Sequence, residues 1–343
     1  MDLMDLTGMS RDELGLFVAD LGERKFRGNQ IFSWIQEHGI TDFSQMTTLT
    51  KEFRESLKSK AIIQEPSILD INESSETSSK KFLFELYDGM KIESVYLPEG
   101  KRRTVCLSSQ VGCALDCKFC ATAKMGILRN LSAGEIVGQL LGVKRNVGER
   151  ITNDVFMGMG EPMLNYNNVI KAANIINDSE GLNIGARKIT ISTVGIAKKI
   201  RQLADDRIPF KLAFSLNATN DRSRNSLMPI NKMYNLEECF SALNYYTIKL
   251  KKRITLEYVL MAGTNNSDED AQRLASMIKK LNCKLNLIPY NPIFGETFKR
   301  PNRIELKGFF EKVSASGKRT ITVRWSQGKD INAACGQLHA NNI

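Results

Sequence analysis

The chain has 343 residues, 42% of them hydrophobic, so it can bury a barrel-sized core with one or two smaller units. Lysine and arginine exceed aspartate and glutamate by 48 to 38, and the net charge of +10 indicates either a polyanionic partner such as RNA or solvated lysine faces. The odd cysteine count of seven, the lack of an eighteen-residue apolar run and the acidic start Met1-Asp-Leu-Met-Asp argue against a disulfide framework, a membrane span and a signal peptide. We therefore expect a cytoplasmic protein.

Residues 1–62 are predicted to form a small helical accessory domain. Ser10 and Glu13 have the spacing of a capping box, and apolar residues recur at helical intervals over 14–21 and again over 30–35. The lysines and arginines of this segment make it a candidate for RNA contact.

Over residues 63–98 the apolar residues recur at every second position instead of at helical intervals. Apolar residues alternate with polar ones over 68–71, 81–86 and 91–97, and Asp88-Gly89 marks a turn. The pattern predicts short antiparallel strands that lead into the main domain.

Strands and helices alternate over residues 99–343. Repeated βα units of this kind predict an α/β fold with a parallel sheet or barrel and with its chemistry at the carboxyl ends of the strands. The predicted strands are 103–107, 154–157, 188–192, 211–216, 254–260, 284–288 and 320–324, and the predicted helices include 132–144, 166–177, 236–251, 268–281 and 303–314.

Three of the seven cysteines, Cys113, Cys117 and Cys120, fall within eight residues just after the first of these strands. Thiolates suit both zinc and iron-sulfur centres. Neither of the two histidines lies near enough in sequence to complete a local zinc site, which favours an iron-sulfur cluster with one iron left open. A zinc knuckle with Cys106 as the fourth ligand is the alternative.

Small and polar residues follow several of the predicted strands. In Gly158-Met-Gly160-Glu161-Pro162 the glycines let the backbone approach a ligand, and Glu161 could accept a hydrogen bond from an amino group. Other polar residues at strand ends could bind a ribose, a purine edge or a carboxylate, or could simply cap loops. They are Ser192, Ser215, Asn217 and Asn291.

The remaining cysteines differ in their surroundings. Cys239 and Cys283 lie within apolar patterns and are predicted to be core residues. Cys335 follows small residues and precedes Gly336, so its loop could carry a thiol into a cavity.

Taken together, Cys106 with the three-cysteine motif, GMGEP, ISTVG, SLNA, PYNP and the terminal AACGQL resemble the RlmN family of radical S-adenosylmethionine (radical SAM) enzymes. These enzymes methylate C2 of adenine in RNA and are related to the Cfr adenine-C8 methyltransferases. The likeness covers nearly the whole chain, including FRGNQI and IESVYLP. It implies a partial (βα)6 TIM-like barrel with the accessory domain in front of it.

The resemblance also implies roles for particular residues. The ligands of a 4Fe-4S cluster would be Cys113, Cys117 and Cys120. The catalytic residues would be Cys335 as methyl carrier, Cys106 as the thiol that resolves the intermediate, and Glu93 as proton acceptor. The contacts to SAM would come from Gly160, Glu161, Ser192, Ser215, Asn217 and Asn291. The family often has histidine where this chain has Asn217; a backbone contact would survive that change, whereas a contact through the ring would not.

Methylation of adenine C2 requires a radical route, because this carbon is too poor a nucleophile to displace methyl from a sulfonium. The resemblance implies that two SAM molecules are used per turnover. One would methylate Cys335, and the other would give a radical that takes hydrogen from this methyl group so that the carbon adds to C2. Glu93 would then remove the C2 proton, and Cys106 would attack Cys335 to release the product and leave a disulfide.

The implied partners are 23S rRNA, tRNA beside the anticodon, and an electron donor such as flavodoxin or ferredoxin; we expect a monomer that binds no membrane. Candidate phosphate contacts are 101–103, Lys249, 251–253 and 299–300. Two alternatives stay open. One is a Cfr-like adenine-C8 methyltransferase, against which Pro162 argues, and the other is a zinc-containing RNA-binding protein.

Overall fold

The N-terminal part of the chain is helical, as predicted. A computed structural model describes residues 3–315, 317 and 319–340. The capping box is confirmed, because the backbone N–H of Ser10 donates to Glu13 at 2.8 Å and Ser10 Oγ accepts from the Glu13 N–H. The elements are β1 (Met4–Asp5), α1 (Arg11–Asp20), α2 (Phe26–Gln36), α3 (Lys51–Lys60) and β2 (Ala61–Ile62), which pairs with β1.

Three antiparallel strands follow: β3 (Ser67–Glu73), β4 (Lys80–Glu85) and β5 (Lys91–Glu99). The alternating pattern there did predict strands. β5 also pairs with β6 (Arg102–Cys106), the first strand of the main domain, so the same sheet runs on into the core. The domain boundaries near residues 62 and 98 stay a prediction.

The rest of the chain alternates between strands and helices. In chain order the elements are β7 (Gln110–Gly112), β8 (Ile127–Asn130), α4 (Ala133–Val147), β9 (Asn153–Phe156), α5 (Tyr166–Asn177), β10 (Ile189–Thr193), α6 (Ala197–Asp205), β11 (Lys211–Ser215), α7 (Asp221–Leu227), α8 (Leu236–Leu250), β12 (Ile254–Leu260), α9 (Asp268–Lys279), β13 (Cys283–Pro289), α10 (Arg303–Ser314) and β14 (Ile321–Val323).

The described residues form a ten-stranded sheet in the order β14-β13-β12-β11-β10-β9-β6-β5-β4-β3. Within this sheet β6 and β9 to β14 are parallel, and each of the six before β14 is followed by a helix. The expected partial (βα)6 barrel is therefore confirmed, with β14 as an additional strand. No helix among the described residues is long and apolar enough to span a membrane.

The two faces of the parallel strands differ in chemistry, because successive side chains point to opposite faces. One face is apolar and fully buried, and packs into the main core; examples are Ile191, Phe214, Leu256 and Leu285. The other face is polar and lines the barrel interior, with Ser215, Glu257, Asn286 and Thr322 in register across β11 to β14. The chemistry of the barrel must therefore come from this inner face and from the strand ends.

Asp154 of β9 breaks the apolar pattern of the outer face. In the register of the sheet it lies beside Val105 and Ile189, both fully buried. Among the described residues neither of its carboxylate oxygens has a hydrogen-bond partner. Burial raises the pKa of Asp154 well above its ordinary value, so the fold favours the neutral form.

Candidate active site

The three-cysteine motif lies in a loop that is closed at its base. β7 and β8 pair antiparallel on either side of it, and the N–H of Cys113 donates to the carbonyl of Gly126 at 2.7 Å. Gly112 has φ +78°, and a Cβ there would come within 1.9 Å of the Gly126 oxygen, so this crossing requires glycine. The loop is also tied to α7, because the N–H of Lys118 donates to the carbonyl of Leu227 at 3.0 Å.

The three thiols lie within electrostatic range of one another. Burial raises the pKa of Cys113 to about 12, and the neighbouring Cys120 adds to that effect. Burial also raises the pKa of Cys117 and of Cys120. Three soft donors in one loop fit an iron-sulfur cluster, which would displace their protons on binding. Among the described residues no three His, Cys, Asp or Glu side chains are grouped to hold a single metal ion, and the cluster ligands stay a prediction.

A buried arginine that the sequence did not single out lies beside this loop. Arg224 is fully buried and donates to the carbonyls of Val194, Ser215 and Leu216 at 2.5, 3.1 and 3.0 Å. Burial lowers the pKa of its guanidinium, and its charge opposes the raised pKa of Cys117. The loops after β10 and β11 thus hold a cation that favours the thiolate of Cys117.

Glu161 is a buried carboxyl group next to the cysteine loop. Its oxygens accept the N–H groups of Met163 at 3.2 Å and Val194 at 3.0 Å. Burial raises the pKa of Glu161 to about 7, against the effect of these hydrogen bonds. Gly160 has φ +95°, and a Cβ there would meet the side chain of Gln110, which accepts the N–H of Glu161 at 2.8 Å. The glycine brings this carboxyl group close against the loop.

The other predicted SAM contacts divide into two kinds. Ser192 and Ser215 are half-buried near the carboxyl ends of β10 and β11. Asn217 is fixed by the protein itself: its φ is +56°, and its Oδ1 accepts the N–H of Val259 at 2.9 Å. The amide of Asn217 is therefore already used to hold β12.

Asn291 connects the end of β13 to the C-terminal loop. Its Nδ2 donates to Ser326 Oγ at 2.9 Å and to the carbonyl of Cys335 at 3.2 Å, and its Oδ1 accepts from Arg300 at 2.9 Å. The predicted site residue Asn291 therefore positions the predicted methyl carrier.

The loop around Cys335 is fastened to the cysteine loop. The N–H of Ala121 donates to the carbonyl of Gly336 at 2.7 Å, and Thr122 Oγ1 donates to the carbonyl of Leu338 at 2.7 Å. These bonds place the tail directly against the segment that follows Cys120. The charge of Cys335 accordingly raises the pKa of Cys120, after the larger effect of burial.

Cys106, Cys335 and Arg324 form one group at the inner face of the barrel. Burial raises the pKa of Cys106, Cys335 adds to the effect, and Arg324 opposes it. Cys335 is in turn the largest cause of the raised pKa of Arg324. The sequence pattern did not predict a role for Arg324, although this residue ends the predicted strand 320–324.

All seven cysteines have free thiols. Cys239 and Cys283 are fully buried, as their apolar patterns predicted. The disulfide between Cys106 and Cys335 is not part of this fold, and it belongs to the reaction that the resemblance implies.

Glu93 of β5 is buried and held on both oxygens. Lys81 forms an ion pair with one oxygen at 2.9 Å, and the backbone N–H of His339 donates to the other at 2.8 Å. The sequence pattern did not predict a role for Lys81. The ion pair joins β4 to β5, and the bond from His339 attaches β5 to the C-terminal tail, close to the loop of Cys335.

An open parallel barrel with a three-cysteine loop after its first parallel strand defines the radical SAM class, and residues 107–275 match the model of the Radical SAM superfamily. A solved structure, a radical SAM methyltransferase from Sphaerobacter thermophilus, has a TM-score of 0.94 and 40% identity over 98% of this chain and 100% of that chain. The superfamily implies a 4Fe-4S cluster and SAM.

Further matches define the particular family. Residues 4–63 match the model of the ribosomal RNA large subunit methyltransferase N-terminal domain. A protein of Clostridium novyi (strain NT) named "Probable dual-specificity RNA methyltransferase RlmN" is 42% identical, with 99% of both chains covered. A protein of Thermotoga neapolitana with the same name is 43% identical over 98% of this chain and 97% of its own length. The chain belongs to the RlmN family, which confirms the resemblance and sets aside the zinc-containing RNA-binding protein.

Proposed function

We propose that this chain methylates C2 of an adenosine in RNA, with Cys335 as the methyl carrier. The observation that supports this best is the position of the Cys335 loop, which is bonded to the cysteine loop while its thiol lies within electrostatic range of Cys106 and Arg324. The names of the relatives support RNA as the substrate, and we propose 23S rRNA and tRNA.

The cofactors would bind at the carboxyl ends of the strands. Cys113, Cys117 and Cys120 would hold the 4Fe-4S cluster, and Glu161 with the polar residues at the neighbouring strand ends would hold SAM. When bound, these groups supply a carbon radical that can remove hydrogen from a methyl group. We propose that two SAM molecules are used per turnover.

Cys335 would act first as a nucleophile. Its thiolate takes the methyl group of one SAM, whose sulfonium leaves as a neutral thioether. Arg324 favours this step because its half-buried positive charge stabilises a thiolate nearby.

Glu93 and Cys106 would complete the reaction after the methyl carbon has bonded to C2. Glu93 is held by Lys81 and the N–H of His339, so its carboxylate is fixed in place and can accept the C2 proton. Cys106 then attacks the sulfur of Cys335, which breaks the carbon-sulfur bond and forms a disulfide. The one electron left over from the radical would pass to the oxidised 4Fe-4S cluster. An electron donor, flavodoxin or ferredoxin, would reduce this disulfide and the cluster.

Anaerobic incubation with SAM and reductant tests the proposal. Protein-free rRNA and tRNA are supplied as separate pools, and their nucleosides are analysed by mass spectrometry. We expect 2-methyladenosine in both pools. 8-Methyladenosine alone would assign the chain to the Cfr-like reaction, and unmodified RNA would contradict the proposed function. Light scattering of the same enzyme tests the proposed monomer.

A further inference from the structure

The amino ends of the parallel strands carry a group of cations. Because parallel strands run in one direction, their first residues meet at the end of the barrel opposite the cysteine loop. Ten basic residues lie within two residues of the first residue of a parallel strand. Five of them, which include Lys211 and the four cations that act on it electrostatically, we call the amino-end rim: Arg102, Arg187, Lys211, Arg253 and Lys284.

The rim is open to solvent. Lys284 is half-buried, and the other four residues are exposed. In the part of the chain that the structure describes, the side chains of Arg187 and Lys211 make no ion pair or hydrogen bond. Arg102 meets Glu99 at 3.6 Å, and both side chains are more than 60% exposed, so this pair stabilises the fold little.

The rim residues repel one another. Burial lowers the pKa of Lys211, and all four other rim residues lower it further. Burial also lowers the pKa of Lys284, where Glu257 in the barrel interior opposes the neighbouring arginines. A bound polyanion would relieve this repulsion.

The basic segments predicted to contact phosphates separate on folding. Residues 101–103 and 251–253 lie at the amino-end rim. Lys249 is held in a surface ion pair, and Arg300 is bonded to Asn291 within the candidate active site. The excess positive charge thus has unpaired members at the end of the barrel opposite the three-cysteine loop.

We propose that the amino-end rim is a second RNA-binding surface, which holds phosphates of the substrate RNA away from the methylated adenosine. This inference rests on the proposed function, because that function supplies a large folded RNA as the partner. The rim would contribute affinity without reading sequence, since phosphate contacts are the same for every base.

Distance distinguishes RNA from the other proposed partner, the electron donor. β6, which leads into the cysteine loop, has five residues, and β12 and β13 have seven each, so these strands span ~16–23 Å at ~3.3 Å per residue. Electron transfer slows steeply with distance, so the donor must dock near the cysteine loop. A folded RNA is longer than the barrel and can reach both ends.

The test neutralises the rim in the loaded, full-length enzyme. The rim variant is Arg187→Gln/Lys211→Gln/Arg253→Gln. A matched control removes three exposed cations from α9 and α10: Lys279→Gln/Arg303→Gln/Lys307→Gln. Filter binding measures the affinity for protein-free rRNA at several salt concentrations. Methylation is measured on that RNA and on a short stem-loop that is too small to reach the rim.

We expect the rim variant to bind rRNA at least ~10-fold more weakly, with the slope of log affinity against log salt reduced by ~2, since each phosphate contact contributes ~0.7–0.9. Its kcat/KM on the stem-loop should equal that of the wild type, as should both activities of the control. Arg187→Lys/Lys211→Arg/Arg253→Lys should retain the rRNA affinity, because the charge is kept.

Equal losses in the rim variant and the control would overturn the inference, and so would a loss on the stem-loop. Unchanged rRNA affinity with slower reduction by the electron donor would assign the rim to the donor instead. If the wild type methylates no RNA, the proposed function fails. The rRNA affinities of the rim variant and the control still show whether the rim binds RNA.

Discussion

The two ends of the barrel use charge in different ways. At the carboxyl end four cations are paired with carboxylates of the same chain: Lys81 with Glu93, Lys118 with Asp116, Lys124 with Glu296 and Arg129 with Glu135. At the amino end the rim residues meet mainly other cations. Charge fixes the geometry of the reaction site at one end, whereas at the other end it is left to act on something outside the protein.

The strongest test of the carboxyl end removes its thiols. Cys335→Ala and Cys106→Ala should each reduce methyl transfer by at least ~10³-fold, because no other group can carry the methyl or release it. The visible absorbance of the cluster should remain. Cys283→Ala removes a buried thiol elsewhere and should keep full activity. Undiminished methylation by Cys335→Ala would refute the carrier role.

Glu93 tests whether the paired charges serve the chemistry. Glu93→Gln should lower the rate of product formation by ~10²-fold, since general-base catalysis contributes factors of this size or more. Lys81→Met should have a smaller effect, because the His339 N–H still holds the carboxylate. Single-turnover assays measure both rates. A normal rate in Glu93→Gln would mean that another base accepts the C2 proton.

Much of this site could be predicted from the sequence, and the limits have physical causes. The strands and helices after residue 99 follow from local apolar periods. The pairing of β7 with β8 could not be predicted, because Gln110–Gly112 is too short to show a period. Arg224 and Arg324 were missed because arginine is seldom buried, and only the three-dimensional structure shows their surroundings. For Asn217 a ligand contact was predicted, and the structure shows its amide bonded to Val259.

The titration of Glu161 predicts that SAM binding depends on pH. RNA binding at the amino-end rim should not show this dependence. Its pKa of about 7 means that the carboxylate, the form that accepts N–H groups, increases as the pH rises through 7. SAM should bind ~10-fold more tightly at pH 8 than at pH 6. Glu161→Gln is the control, since the titration of SAM itself remains; the same pH dependence in that variant would contradict the role of Glu161.

Asp154 lies in the sheet between the two ends of the barrel, and its replacement tests how a buried carboxyl affects the stability of the fold. Asp154→Val should raise the free energy of unfolding by ~1–3 kcal/mol, because a buried polar group without a partner is removed. The pKa of Asp154 is raised in the folded state, so its stability cost grows as the pH rises above the unfolded value of ~3.9. Urea unfolding should show a larger gain at pH 7 than at pH 4. A destabilised variant would mean that the carboxyl has a partner.

The fastening of the tail to the cysteine loop sets the order in which the site can assemble. Thr122 and Leu338 are 216 positions apart, and Glu93 and His339 are 246 apart. Contacts between such distant positions form late, because most of the chain must be ordered before the segments meet. The thiol of Cys335, which we propose carries the methyl group, therefore reaches the other groups only after the segments from Glu93 to His339 have folded together.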